Sequence, residues 1–315
     1  MWEKSSGIIL VSPHQFPDVA REQELAKIVG MEMVVAKDQS EFSSLMPRAR
    51  IVMVTPYGKV RAEEIARLSD CAAIVRYGIG YDNIDVLAAK AAWVPVSIVP
   101  DASTEEVASH AFAMGLALAR RIQQGYAAIL AGAWAGKIGY DAPKLTRLKI
   151  GILGMGRIGR MTANWWKAVG SEVTAYDPFV DFEEVAQGTV EEIVKTSDVL
   201  SLHLPLTDET RNIVDAAALK TMKRSSVIVN VSRGGLIDET ALAQALVAGE
   251  VAGAALDVFT QEPLPADSPL RQAPNLILTP HIAWRSDASV GALQSGAVER
   301  ARLALVGEAL PDRAA

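Results

Sequence analysis

The stretch Lys149-Ile-Gly-Ile-Leu-Gly-Met-Gly-Arg-Ile-Gly159 decides the fold of this chain. After Lys149, its next four residues have the apolar character of a buried strand, and a glycine-rich turn follows them directly. A helical segment continues from this turn through Trp166 and Ala168. Because a glycine turn between a strand and a helix is typical of dinucleotide-binding α/β domains, this order predicts such a domain.

Each glycine of this turn has a physical reason for its position. Gly154 permits a tight turn, Gly156 leaves no side chain between the backbone and a pyrophosphate, and Gly159 lets the helix pack closely on the strand. The free N–H groups at the start of the helix then face the phosphates, and the helix dipole favours their negative charge. The alternative is a glycine-containing turn that binds nothing.

The acidic residue Asp177 ends the next predicted strand, 18 residues beyond Gly159. A carboxylate at this place can accept hydrogen bonds from both ribose hydroxyls of an adenosine, and it would repel a 2′-phosphate. The next residues, Pro178 and Phe179, bring no arginine that could bind such a phosphate. The sequence therefore favours NAD (NADH) over NADP, unless Asp177 is only a turn residue before proline.

Outward from the glycine turn, short apolar runs alternate with alanine-rich helical stretches, among them Asp18–Val29, Arg61–Leu68 and Ser103–Arg120. This alternation predicts an α/β fold with parallel sheets, Rossmann-like or flavodoxin-like, and the pattern changes near Pro100. We therefore expect two α/β domains, with the last helix, from Arg285 onward, returning to the first. The predicted strands are Gly7–Val11, Met33–Ala36, Ile51–Thr55, Ala73–Arg76, Val96–Ile98, Lys149–Leu153, Glu172–Tyr176, Val199–Leu202, Ser226–Val231, Gly253–Leu256 and Leu276–Leu278.

Composition excludes several classes of protein. The chain has 315 residues, enough for about two domains, and its 50% hydrophobic and 22% charged residues are ordinary for a globular protein. A net charge of −6 argues against a nucleic-acid-binding surface. The single cysteine, Cys71, can form neither an internal disulfide nor a cysteine cluster for zinc, and we predict no metal site. With no targeting segment and no stretch long enough to span a membrane, we expect a cytoplasmic protein.

Three candidate catalytic residues, Arg233, Glu262 and His281, stand just past the ends of predicted strands. Ligands of open α/β sheets bind beyond the carboxyl ends of the strands. Histidine can exchange a proton near neutral pH, and arginine can bind a carboxylate bidentately and polarise a neighbouring carbonyl. Glutamate beside a histidine can fix its tautomer and favour its charged form. Taken alone, His281 could be a structural histidine and Glu262 a solvated loop residue.

Together these segments resemble the D-isomer-specific 2-hydroxyacid dehydrogenase family, which is NAD-dependent. The resemblance covers most of the chain beyond about residue 70, whereas residues 1–70 match by pattern only. The matching segments are Arg76–Asp85, Ser103–Arg120, the glycine turn, Tyr176–Pro178, His203–Thr210, Val229–Asp238, Ala255–Phe259, Glu262–Pro263 and Thr279–Ile282.

The resemblance implies an activity and a role for each residue. Reduction of a 2-keto acid by NADH, and its reverse, would use His281 as the acid–base group, Arg233 as the carboxylate anchor and Glu262 to orient the histidine. The backbone amides of the loop that contains Ile79 and Gly80 would cradle the substrate carboxylate. The residues implied to bind the cofactor are Gly154, Gly156, Arg157, Ile158, Gly159, Asp177, Pro205, Thr210, Val231 and Asp257.

The family fold implies that an NAD-binding domain, residues 100–284, is inserted into a substrate-binding domain made of residues 1–99 and 285–315. In this family the segments Ser103–Arg120 and Ile122–Trp134, which are too apolar to face water, pack across a two-fold interface. The resemblance therefore predicts a homodimer.

A narrower resemblance points to the branch that contains the C-terminal-binding proteins. There Arg76 and Trp284 would contact the substrate, although they could also be a surface arginine and an interface tryptophan. This branch suggests an alternative function, an NAD(H)-sensing scaffold or corepressor-type binding protein with weak catalysis. The chain carries no extra tails for such a role, so we favour the enzyme. A large regulated phosphoglycerate dehydrogenase is disfavoured, because no residues remain after the last helix for a regulatory domain, whereas the short form of that enzyme stays open.

The identity of the substrate side chain stays open at this stage. Arg76 argues for a second anionic group and Trp284 for an apolar one, and the loop Thr55-Pro-Tyr-Gly58 is a candidate for deciding between them. Glyoxylate, hydroxypyruvate, phenylpyruvate-like acids, and sulfonated or dicarboxylic keto acids are all compatible with the sequence.

Overall fold

The computed structural model describes residues 7–135 and 142–314. They form two compact units, one built from residues 7–103 and 285–314 and the other from the described part of residues 104–284. The first unit is therefore assembled from both ends of the chain. That it binds the substrate stays a prediction.

The strands and helices alternate along most of the chain. The strands are β1 (Ile8–Val11), β2 (Glu32–Val35), β3 (Ala49–Val54), β4 (Ala73–Arg76), β5 (Val96–Ile98), β6 (Lys149–Leu153), β7 (Glu172–Tyr176), β8 (Ala186–Gln187), β9 (Val199–Leu202), β10 (Val227–Asn230), β11 (Gly253–Leu256) and β12 (Leu276–Leu278). The helices are α1 (Ala20–Val29), α2 (Gln39–Leu45), α3 (Ala62–Ile65), α4 (Val86–Ala91), α5 (Thr104–Ala119), α6 (Ile122–Leu130), α7 (Arg157–Ala168), α8 (Val190–Thr196), α9 (Ala216–Thr221), α10 (Glu239–Ala248) and α11 (Ser289–Val306).

The first unit contains a parallel sheet with the strand order β2-β1-β3-β4-β5. This is the flavodoxin-like order, in which the chain reverses direction across the sheet between β1 and β3. Every residue of β1 is buried, and the core around it includes Leu10, Phe42 and Val52. The C-terminal helix α11 packs against α1, β3 and β4, so the last segment of the chain completes the unit that the first segment begins.

The second unit contains a parallel sheet with the order β12-β11-β10-β9-β6-β7-β8. This is the Rossmann order with one further strand at the edge beyond β11. Alternate residues of β6 enter two different cores, with Ile150 and Ile152 on one face and Leu153 on the other. The sheet is thus covered on both faces, and the two parallel sheets confirm the predicted α/β fold class.

Within this chain, helices α5 and α6 leave part of their apolar surface uncovered. Within this chain α5 buries one stripe, which includes Val107, Ala111 and Met114, and it packs against α7 and the sheet. Its outer face is solvent-accessible, and none of the nine residues of α6 is buried. Across residues 7–135 and 142–314, no helix is long and apolar enough to cross a membrane.

Candidate active site

The predicted catalytic residues lie on three loops at one edge of the second sheet. Arg233 follows β10, Glu262 follows β11 and His281 follows β12, and these three strands are neighbours. Because the strands are parallel, their carboxyl ends meet at this edge. The glycine turn follows β6 at the same edge, where the strand order reverses between β9 and β6.

His281 and Glu262 form a direct hydrogen-bonded pair. The Nδ1 atom of His281 lies 2.7 Å from Oε2 of Glu262, and the two side chains are 39% and 37% exposed. An ionised carboxylate can only accept a hydrogen bond, so Nδ1 is the donor. The other ring nitrogen, Nε2, is left for proton exchange with a ligand, as a general acid–base histidine requires.

The charge of Glu262 is stabilised by its neighbours. Partial burial by itself would raise the pKa of this carboxyl, but the hydrogen bond from His281, the charge of His281, the Phe259 N–H at 3.0 Å and the charge of Arg233 together lower the pKa below its ordinary value. Glu262 therefore faces His281 as a carboxylate, and the positive charge of Arg233 acts on the same group.

The backbone around His281 is held by Asp257, which is fully buried at the end of β11. Its Oδ1 accepts hydrogen bonds from the Ile282 N–H at 2.9 Å and the Thr279 hydroxyl at 2.5 Å, and its Oδ2 accepts one from the Ala283 N–H at 2.8 Å. The His281 N–H also donates to the Asp257 carbonyl at 2.8 Å. Asp257 thus fixes the loop in which His281 adopts a φ of 53°.

A second histidine, His110 on α5, extends this network. Its Nε2 lies 3.1 Å from the Thr279 hydroxyl oxygen and 3.9 Å from Oδ1 of Asp257. Since the Thr279 hydroxyl already donates to Asp257, His110 is the donor to Thr279. Sequence reasoning gave His110 no role, and its only sign in the sequence is a histidine in a helix that carries no formal charge after its first turn.

The loop of Arg233 is pressed against the loop of Glu262. A Cβ on Gly234 would lie 1.9 Å from the carbonyl carbon of Phe259, so this approach is open only to glycine. The Asn230 side chain donates to the Arg233 carbonyl at 2.8 Å, and Nη1 of Arg233 donates to the Ser232 carbonyl at 2.7 Å. These contacts hold the backbone and the guanidinium of Arg233 in the loop beside that of Glu262.

The glycine turn has the form that sequence reasoning predicted. Gly154 has a φ of +105°, and a Cβ on Gly159 would lie 1.9 Å from the Gly154 carbonyl oxygen. At Gly156 a Cβ would meet nothing within 4 Å, so open space lies over the turn where α7 begins. An open cradle at a helix N-terminus fits a pyrophosphate. The next residues, Arg157 and Ile158, are exposed and half-buried.

Asp177 lies against this turn at the end of β7. Its Oδ2 accepts a hydrogen bond from the Met155 N–H at 2.6 Å, and its Oδ1 accepts from the Phe179 and Val180 N–H groups. The structure also brings Arg160 of α7 to the same turn, which sequence reasoning missed. Arg160 donates to the Met155 carbonyl at 2.9 Å and the Asp181 carbonyl at 2.7 Å, and it pairs with Glu184.

The loop after β9, beside the glycine turn, is held by hydrogen bonds between its own residues. The buried Thr210 hydroxyl donates to the Pro205 carbonyl at 2.7 Å and accepts from the Thr207 N–H at 2.8 Å. At the start of this loop, burial lowers the pKa of His203 to about 4, so His203 is neutral near pH 7. Val231, which follows β10, is buried.

The predicted substrate residues divide between the two units. Trp284 belongs to the second unit, and its Nε1 donates to the His281 carbonyl at 3.0 Å. In the first unit Arg76 ends β4, is buried and donates to the Tyr77 carbonyl. Ile79 and Gly80 follow in the loop after β4. Within the described parts of the chain, no group of three histidine, cysteine or acidic residues could hold a metal ion.

Known proteins are similar to this chain over much of its length. Residues 112–283 match the family model for the "D-isomer specific 2-hydroxyacid dehydrogenase, NAD binding domain". The chain is 35% identical over 313 residues to D-3-phosphoglycerate dehydrogenase of Mycobacterium tuberculosis, covering 98% of this chain and 58% of that protein. It is 40% identical over 224 residues to glyoxylate reductase of Korarchaeum cryptofilum, covering 68% of this chain and 67% of that protein.

A solved structure is also similar over nearly the whole chain. D-lactate dehydrogenase from Aquifex aeolicus, complexed with NAD and lactic acid, has a TM-score of 0.87 at 28% identity and covers 95% of this chain and 96% of its own. This chain spans about half the length of the phosphoglycerate dehydrogenases it matches, between 49% and 58%. The narrower resemblance to C-terminal-binding proteins stays a prediction. The chain belongs to the D-isomer specific 2-hydroxyacid dehydrogenase family.

Proposed function

We propose that this protein is an NAD-dependent D-2-hydroxyacid dehydrogenase that interconverts a 2-keto acid and a 2-hydroxy acid. The observation that carries the proposal is the His281–Glu262 pair, with an Nδ1 to Oε2 distance of 2.7 Å, beside the Arg233 loop. A proton-exchanging group and a fixed guanidinium are what reduction of a keto acid requires. The relative from Aquifex aeolicus, whose structure holds NAD and lactic acid, supports this reaction class.

The second unit has the features that a dinucleotide needs. The residues proposed to hold it are Gly154, Gly156, Arg157, Ile158, Gly159, Asp177, Pro205, Thr210, Val231 and Asp257. When bound, the cofactor supplies or accepts the hydride. The Asp257 carboxylate already accepts three hydrogen bonds and has capacity for one more donor, such as the carboxamide of nicotinamide.

We favour NAD over NADP because the surroundings of Asp177 are acidic. The residues that follow it, Asp181, Glu183 and Glu184, add negative charge beside the turn. Arg160, which the structure brings to this loop, is engaged by Glu184 and by two backbone carbonyls. A 2′-phosphate would therefore meet repulsion from Asp177, and Arg160 would have to leave its present partners to bind it.

Arg233 binds the substrate carboxylate in this proposal and polarises the adjacent C2 carbonyl. The backbone amides around Ile79 and Gly80 supply further donors to the carboxylate, and Arg76 and Trp284 are proposed as substrate contacts. During reduction His281 donates the proton from Nε2 to the carbonyl oxygen while C2 receives the hydride. In the opposite direction His281 removes the hydroxyl proton, and Glu262 stabilises the imidazolium in both cases.

We also propose that the protein is a homodimer. Helix α6 exposes Ile122, Tyr126, Ile129 and Leu130, and Trp134 beyond it is exposed as well. An apolar surface of this kind is typical of a subunit interface. The C2 symmetry that most homodimers adopt would pair this surface with its copy or with its neighbours on the partner.

The proposed function is tested by oxidation of NADH in the presence of a panel of 2-keto acids, with NADPH in parallel. The variant Arg233→Ala should lose about a hundredfold or more in kcat/KM while NADH still binds, because Arg233 contacts the acid rather than the cofactor. The matched control is Arg224→Ala, an exposed arginine before β10 at the other end of that strand, and it should leave turnover unchanged.

Two results would contradict the proposal. Near-normal turnover by Arg233→Ala would remove Arg233 from the site, and tight NADH binding without turnover of any acid would favour the NAD(H)-sensing scaffold. Faster turnover with NADPH than with NADH would overturn the preference assigned to Asp177.

A further inference from the structure

Three polar side chains form a hydrogen-bonded chain from helix α5 to the buried end of β11. Nε2 of His110 lies 3.1 Å from the Thr279 hydroxyl oxygen, and this oxygen lies 2.5 Å from Oδ1 of Asp257. All three residues belong to the second unit. Because α5 packs against β10 and β11, it brings His110 to a loop that lies 169 positions further along the chain.

The direction of each hydrogen bond in this chain follows from the charge of Asp257. An ionised carboxylate only accepts hydrogen bonds, so the Thr279 hydroxyl gives its single proton to Oδ1. The Thr279 oxygen can then only accept from His110, which requires a proton on Nε2. His110 thus occupies the oxygen of Thr279 and leaves the hydroxyl proton directed at Asp257.

Asp257 depends on such donors because it is fully buried. Its Oδ1 accepts from the Ile282 N–H at 2.9 Å as well as from Thr279, and its Oδ2 accepts from the Ala283 N–H at 2.8 Å. A buried carboxylate is unfavourable unless hydrogen bonds compensate for the water it has lost. The Thr279 hydroxyl is the side-chain donor among these three, and it is the donor that His110 orients.

Two roles for His110 are compatible with these contacts. His110 could stabilise the loop that carries His281, since the His281 N–H donates to the Asp257 carbonyl at 2.8 Å. Alternatively it could act on the Asp257 carboxylate itself, which has capacity for a further donor. The second role is favoured by the place of Thr279, which contacts the Asp257 carboxylate and is the group that His110 binds.

We infer that His110 is a positioning residue for the nicotinamide end of the cofactor and acts through Thr279 on Asp257. It directs the Thr279 proton to Oδ1, so the carboxylate stays in one position and keeps a lone pair for the N–H of the nicotinamide carboxamide. The inference rests on the proposed function and adds His110 and Thr279 to the residues that determine its cofactor affinity.

The test measures Kd by calorimetric titration for three ligands. These are NADH, its 3-acetylpyridine analogue, whose methyl ketone has no N–H to donate, and ADP-ribose, which has no nicotinamide. His110→Leu should weaken the binding of NADH about tenfold, because a hydrogen bond to a charged group depends on it. Binding of the other two ligands should change by less than about twofold, because neither donates a carboxamide N–H. Equal weakening of all three would show that His110 only stabilises the fold, and would overturn the inference.

The conservative variant His110→Gln should restore the interaction. The glutamine amide nitrogen can take the place of Nε2 and donate to Thr279, so the Kd for NADH should return to within about threefold of wild type. His14→Leu, the same replacement at a half-buried histidine of the first unit, is the matched control and should leave this Kd unchanged. NADH affinity that is no better in His110→Gln than in His110→Leu would contradict a role as hydrogen-bond donor.

A double-mutant cycle tests whether His110 acts through Thr279. Thr279→Val removes the hydroxyl and keeps the shape of the side chain, so it should reproduce the pattern of His110→Leu across the three ligands. This comparison also decides the inference if His110→Leu does not fold. The double variant should bind NADH within about twofold of Thr279→Val alone, because the effects of coupled residues do not add. Effects of the two substitutions that multiply would show that His110 acts by another route.

Failure of the proposed function gives a different result. NADH binding without turnover of any keto acid would remove the dehydrogenase function, and the same titrations would still decide the role of His110. Turnover of a keto acid by a wild-type protein whose His110→Leu variant binds NADH equally well would overturn the inference alone. Absence of NADH binding to the wild type would overturn both.

Discussion

At His281 the chemistry depends on which ring nitrogen is occupied. Glu262 accepts the hydrogen bond from Nδ1, and Asp257 holds the backbone of His281 and of the two residues after it through the N–H groups of His281, Ile282 and Ala283. The imidazole is thus fixed in direction by one carboxylate and in position by another. A group held in this way needs little reorganisation to meet a substrate oxygen, which is the contribution expected of a preorganised site.

Replacing Glu262 by Gln should show how much the proton transfer by His281 depends on the negative charge of Glu262. Glutamine can still accept from His281, but it cannot stabilise the imidazolium that donates the proton during reduction. The pH at which reduction falls to half its maximum should therefore move down by about one unit, with KM for NADH unchanged. Rate against pH for both proteins measures the effect, and identical profiles would show that the carboxylate charge does not act on His281.

The same substitution bears on stability at low pH. Because the folded-state pKa of Glu262 lies below the ordinary 4.5, its contribution is present above about pH 4.5 and is lost as pH falls through the lower value. Wild type and Glu262→Gln should therefore differ in urea midpoint near neutral pH and converge in acid. A difference that stays constant with pH would mean that the charge of Glu262 does not stabilise the fold.

The residues of the predicted triad could be found from the sequence because each follows a strand end that apolar runs reveal. The residues that support this site through hydrogen bonds could not be found from the sequence. His110 and Thr279 are 169 positions apart, and only the packing of α5 on the sheet brings them within hydrogen-bonding distance. Arg160 was missed as well, because its partners Asp181 and Glu184 lie in a loop whose sequence has no regular pattern.

Among the secondary-structure elements, sequence-based prediction failed where the local sequence has no pattern that marks the structure. Strand β8 has two residues, both exposed, so no apolar run marks it. The helix predicted over Arg61–Leu68 ends as an α-helix at Ile65, because the Arg67 and Leu68 N–H groups bond to carbonyls three residues earlier. Bonds of this spacing tighten the last turn into a 3-10 form, which amino-acid preferences do not specify.

Within the glycine turn, we expect one glycine to be needed for folding and another for cofactor binding. A Cβ at Gly159 would meet the Gly154 carbonyl at 1.9 Å, whereas a Cβ at Gly156 would meet nothing within 4 Å. Gly159→Ala should therefore lower the free energy of unfolding by about 2–3 kcal/mol. Gly156→Ala should leave it within about 0.5 kcal/mol of wild type and weaken NADH binding about tenfold or more, because the methyl group occupies the pyrophosphate position.

Urea unfolding and fluorescence titration with NADH measure the two effects separately. The two variants serve as controls for one another, since each adds the same methyl group within a few residues. Destabilisation by Gly156→Ala comparable to that of Gly159→Ala would mean that the open space over the turn is absent in solution. Unchanged NADH affinity in Gly156→Ala would place the cofactor elsewhere.

For the molecule as a whole, the topology joins two open parallel sheets whose ligand positions follow from strand order alone. The second sheet reverses between β9 and β6, where the glycine turn lies, and the first reverses between β1 and β3. Arg233, Glu262 and His281, which are proposed for carboxylate binding and proton transfer, all belong to the second unit. Their geometry therefore depends on the loops of one sheet.

The exposed face of α6 leads to the last prediction, which concerns assembly. Of the nine residues of α6 none is buried, yet Ile122, Tyr126, Ile129 and Leu130 are apolar, and water contact with so many apolar side chains is unfavourable. We expect a dimer in sedimentation equilibrium at micromolar concentration, and Ile129→Glu should convert it to a monomer, because a buried unpaired carboxylate opposes association. Leu87→Glu, at an exposed apolar position on α4, should leave the dimer intact and serves as the control. A wild-type monomer, or dissociation by Leu87→Glu and not by Ile129→Glu, would show that α6 is not the interface.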